Sequence, residues 1–114
     1  MSRLVLLLLI TLTAQRVIGD DMPEAEIHSL IQAVNESGCE FNRNGEMHSA
    51  TEAAAHLELK YRRGHRYAGS AEEFIERLAS KSSWSGEAYL MICDGEAQPA
   101  GDWLTATLEA LRSQ

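Results

Sequence analysis

The chain has little of what would make it a repetitive, basic or membrane-spanning protein. Of its 114 residues only two are cysteine and two proline, aromatics make up 6%, and 10 Lys+Arg stand against 17 Asp+Glu for a formal net charge of −7. Scarce proline beside 45% apolar and 24% charged residues excludes a collagenous, low-complexity or disordered chain. The shortage of Lys and Arg excludes non-specific nucleic-acid binding, which needs a basic excess to displace counterions. Cys39 and Cys93 are too far apart for a C-x-x-C redox pair. Zinc wants three or four convergent ligands, and His28, His48, His56 and His65 show neither H-x-x-x-H spacing nor a cysteine pairing, so no metal or cofactor is implied. There is no internal repeat, and no linker divides the chain.

The long apolar run is short of a membrane span. Leu4 to Leu12 is nine residues without a charge, following Met1-Ser2-Arg3 and soon interrupted by Gln15 and Arg16, whereas a bilayer needs about 20. This order reads as a secretory signal peptide over 1–19, cut after Gly19, with Ala14 as the alternative cleavage position, and 20–114 as a single periplasmic domain free of the membrane after cleavage. Removing Arg3 and Arg16 takes two positive charges from the net −7, leaving −9. Both cysteines lie in the exported part. An even count of two in an oxidising compartment reads as one Cys39–Cys93 disulfide, the competing reading being two buried free thiols.

What is present patterns into an α+β domain. Pro23-Glu24 opens a helix over about 23–36 in which Ile27, Leu30, Ile31 and Val34 form one stripe, stopped at Ser37-Gly38. Cys39 to Arg43 alternates as a strand, Asn44-Gly45 is a hairpin turn, and Glu46 to His48 returns. Ser49-Ala50-Thr51-Glu52 is a capping box opening a helix from Ala50 to about Arg63, stopped by Gly64. Ser70 to Glu73 is a second box, before a stripe of Ala71, Phe74, Ile75, Leu78 and Ala79. Lys81 to Glu87 is a loop, Ala88 to Cys93 the central strand, Asp94-Gly95 a turn, Pro99 to Gly101 a further loop, and Asp102 the cap of a last helix carrying Leu104, Leu108 and Leu111. The expected order is α-β-β-α-α-β-α, a small antiparallel sheet of hairpin plus central strand packed with about four helices.

A likeness runs through about 39–93. F-x-R-N-G at Phe41 to Gly45, E-A-x-x-H-L-x-x-K at Glu52 to Lys60, A-E-x-F-I within Ala71 to Ile75, S-S-x-S-G at Ser82 to Gly86, and Tyr89 together resemble the YfeK-like family of small exported bacterial proteins. The resemblance implies a Gram-negative periplasmic location and an unassigned function, and it carries no catalytic residues.

Helix 50–63 places Glu52, His56, Lys60 and Arg63 in a sector away from its core face. This is either a solvated face of i, i+4 neighbours or a polar site titrated by His56. Lys60, Arg62, Arg63, His65 and Arg66 are a basic run in an acidic protein, either compensating the helix dipole or holding a carboxylate, phosphate or acidic polymer. Trp84 among polar residues is a candidate anchor. The expected reading is a periplasmic binding or accessory protein for an anionic ligand or envelope component, with Arg43, His56, Lys60, Arg63 and Trp84 as ligand residues and no catalytic ones. Such a site is expected to strengthen as pH falls through about 6.5. The alternatives are a hydrolase or transferase using Ser82, Ser83 or Ser85 with His56, and an acidic inhibitor of a basic protein. The natural ligand or partner and the oligomeric state are not written in these residues.

Overall fold

The computed structural model describes residues 21–114, and the expected leader over 1–19 lies outside them. Helix α1 (Asp21–Glu36) is followed by strands β1 (Glu40–Arg43) and β2 (Glu46–His48), then helix α2 (Ala50–Gly64) and a 3₁₀ turn at His65–Tyr67. Helix α3 (Ala71–Phe74) runs on into a π-helical turn (Ile75–Ala79), and strands β3 (Leu90–Cys93) and β4 (Glu96–Pro99) precede helix α4 (Ala100–Arg112). The sheet is antiparallel with order β2-β1-β3-β4. The domain is α+β with the expected element order, and its sheet gains a fourth strand.

Two turns set the sheet. Asn44-Gly45 and Asp94-Gly95 both carry positive φ at both positions (55° and 85°, 54° and 81°), the conformation that matches the twist of a two-residue hairpin. The second turn makes β4 the partner of β3. Strand β4 escapes the hydrophobic pattern because it is a wholly exposed edge, Glu-Ala-Gln-Pro, with no buried face to write an alternation.

Strand parity sends Phe41 and Met91, paired across β1 and β3, into the core at 1% exposure each. All four residues of the α1 stripe are buried against them, as are Ala53, Ala54 and Leu57 of α2, the five of α3 and its extension, and Leu104 and Leu108 of α4. Cys39 and Cys93 flank this face and form a disulfide with Cα atoms 4.6 Å apart, joining the start of β1 to the end of β3. Arg112 bridges Glu26 (2.8 Å) and Glu72 (2.6 Å), tying α4 to α1 and α3. Among the described residues no helix is long and apolar enough to cross a membrane.

Three local expectations change. Asp102 is not the cap of α4, because the helix already begins at Ala100, with Pro99 in the cap position and Asp102 in the first turn. Gly101 belongs to helix packing rather than a loop: a Cβ there would meet Ser80 Oγ at 2.6 Å. The Ser70 box is half made, since Ser70 Oγ accepts the Glu73 N–H but the Glu73 carboxylate accepts from Gly69 N rather than from Ser70. The Ser49–Glu52 box is complete in both directions.

Candidate functional site

Three elements converge beside the hairpin. Arg43 shares its strand face with Phe41 and so lies on the helix side of the sheet, next to the Asn44-Gly45 turn. His56 and Lys60 are one turn apart on α2, and both are partly buried. Tyr89, just before β3, is 2% exposed. A buried phenol needs a partner for its hydroxyl, and Tyr89 Oη has two: His56 Nε2 at 3.2 Å and Lys60 Nζ at 3.1 Å. Lys60 also donates to the Lys81 carbonyl at 3.2 Å, which ties α2 to the 81–88 segment.

The proton arrangement follows from what each group can offer. A Lys ammonium only donates, so Tyr89 Oη accepts from Lys60 and its single proton goes to His56 Nε2. That leaves the His56 proton on Nδ1. His56 is neutral at pH 7, its pKa lowered to about 4, first by desolvation and then by the charges of Arg43, Lys60 and His48. Desolvation, then Arg43, also lowers the Lys60 pKa, while desolvation raises that of Tyr89 against a smaller opposite pull from Arg43. The expected titration near 6.5 is therefore corrected: burial, then the neighbouring cations, holds His56 well below the ordinary imidazole range.

Of the five expected ligand residues, Arg43, His56 and Lys60 come together. Arg63 lines a neighbouring cleft that it shares with Lys60. Trp84 is 92% exposed at the tip of the loop. Glu52 turns instead to the Ser49 cap and to His48, 3.5 Å away. The basic run does not form one patch: Arg62 and His65 face a cleft containing Glu24 and Glu58, whereas Lys60 and Arg63 face the other side of α2. Helical rotation of about 100° per residue divides them.

Tyr89 is the residue the sequence reasoning passed over, having been read as part of a strand. A tyrosine inside an otherwise aliphatic run is the available signal, because its hydroxyl must meet a polar group somewhere in the core.

The loop serines serve the loop. Ser82, 5% exposed, accepts the N–H groups of Trp84 and Ser85, each at 3.1 Å, and the Asn44 amide at 3.4 Å. Ser85 Oγ donates to Asn44 Oδ1 at 2.6 Å and accepts from Glu87 N. The turn residue Asn44 thus ties the loop to the β1–β2 hairpin. His56 pairs with Tyr89.

No solved structure matches the chain. It is similar to the uncharacterized protein YfeK of Salmonella typhimurium (strain LT2), with 37% identity over 67 residues, 58% of this chain and 56% of the relative. The chain thus spans a little over half the length of that curated relative. Residues 21–112 match a family of unknown function, DUF5329; this covers nearly all of the described domain, and the chain belongs to that family.

Proposed function

We propose that this is an exported periplasmic binding or accessory protein that takes an anionic group between Arg43, His56 and Lys60. The observation that carries the reading is a set of partly buried basic side chains, Arg43, His56 and Lys60, gathered around one phenol. In a chain with 17 acids and 10 bases, the Arg43 and Lys60 cations brought together cost electrostatic energy that a bound anion offsets. The Cys39–Cys93 disulfide suits an oxidising compartment, and residues 1–19 have the order of a leader.

The anion would be held by the Arg43 guanidinium as a fork and by Lys60 as a point charge, with the His56 Nδ1–H as a third donor. Inorganic phosphate is the direct probe. Its addition should shift the amide resonances of Arg43, His56 and Lys60 saturably, and Lys60→Met should weaken binding about tenfold or more, the scale of one lost charge-assisted hydrogen bond. Shifts confined to other residues, or unchanged binding to the Lys60→Met protein, would sink the reading.

A further inference from the structure

A cleft of about 510 Å³ opens on the other side of Lys60, within the size range of small-molecule sites. Its floor is apolar. Gly64 and Leu78 form it in close contact, since a Cβ on the glycine would come to 3.0 Å from Leu78 Cδ2. Tyr67, 52% exposed, also lines it. The cations are Lys60, Arg63 and Arg77, and Arg77 is held by a bond to the Tyr67 carbonyl (3.2 Å) and by Glu73 (3.7 Å).

The lining contains no carboxylate. Three other clefts among the described residues each include acids: Glu72 and Asp102 in one, Glu24 and Glu58 in another, Glu40 in a third. A neutral apolar ligand would strip water from the Lys60 and Arg63 charges without replacing it. A bare anion would leave the Gly64–Leu78 floor and the Tyr67 ring unused. The lining suits a molecule with both parts, and Lys60 belongs to this cleft and to the Arg43–His56 site alike.

We infer that the ligand is an amphipathic small-molecule anion, its phosphate or carboxylate head at Lys60 and its apolar body lying over Gly64 and Leu78 against Tyr67. The inference rests on the anion reading above and goes further by naming the ligand class. Calorimetry of the protein with inorganic phosphate, phenyl phosphate and vesicles of anionic phospholipid tests it. Phenyl phosphate should bind about tenfold more tightly than inorganic phosphate, the gain expected from burying roughly 60 Å² of apolar surface. Tyr67→Ala should remove most of the difference between the two phosphates. Equal affinity for the two phosphates overturns the cleft assignment and spares the anion site. Binding to neither overturns both, and binding to vesicles alone overturns the small-molecule assignment.

Discussion

His56 is a base whose surroundings oppose its protonation, and this has a consequence for stability. Its folded pKa of about 4 lies below the unfolded value near 6.5, so between these values the unfolded chain binds more protons and stability rises with pH. Acidification from about pH 6.5 toward 4 should therefore cost up to about 2 kcal/mol through this residue, allowing for screening at a partly exposed site. Urea unfolding of His56→Ala at pH 7 and pH 4.5 checks it, because the variant should lose less stability over that interval than the parent. The proximity of Arg43, His56 and Lys60 was legible as a hairpin leading straight into a helix through Ser49. The depressed titration was not, because it depends on the Tyr89 ring filling the space between them, a contact spanning 33 residues of sequence.

Helix α2 separates two roles by rotation, with Leu57 in the core at 0% exposure and His56 and Lys60 on the Tyr89 side. Leu57→Ala should cost about 2 to 5 kcal/mol of unfolding free energy and leave phosphate affinity unchanged below the transition. Ser49→Ala, which removes one half of the complete box, should cost about 1 kcal/mol. Denaturant titration measures both. The helices were readable because their stripes and caps are local signals: Ile27 to Val34 and Ser49 to Glu52 point to the same elements the structure contains. Gly64 ends helix α2 as expected, whereas Gly101, read as a loop residue, lies inside α4. A glycine that stops a helix and a glycine that admits a neighbouring side chain, here Leu78 or Ser80, look alike until the neighbour is known.

Across the whole molecule, the disulfide and the acidic surface frame the site. Cys39 and Cys93 are 54 residues apart in sequence, and closing so long a loop restricts the unfolded chain by about 4 kcal/mol at the chain-entropy limit. Reduction should lower stability by about 2 to 4 kcal/mol, read from urea midpoints with and without reductant. The central claim is that an acidic domain has gathered Arg43, His56 and Lys60 to receive a negative charge, and the His56 imidazole reports on it directly. A proton NMR titration of that ring, with and without inorganic phosphate, should give a midpoint near 4 in the free protein and one raised by about a unit or more when the anion is bound. A midpoint unmoved by phosphate, or one near 6.5 in both conditions, would contradict the account.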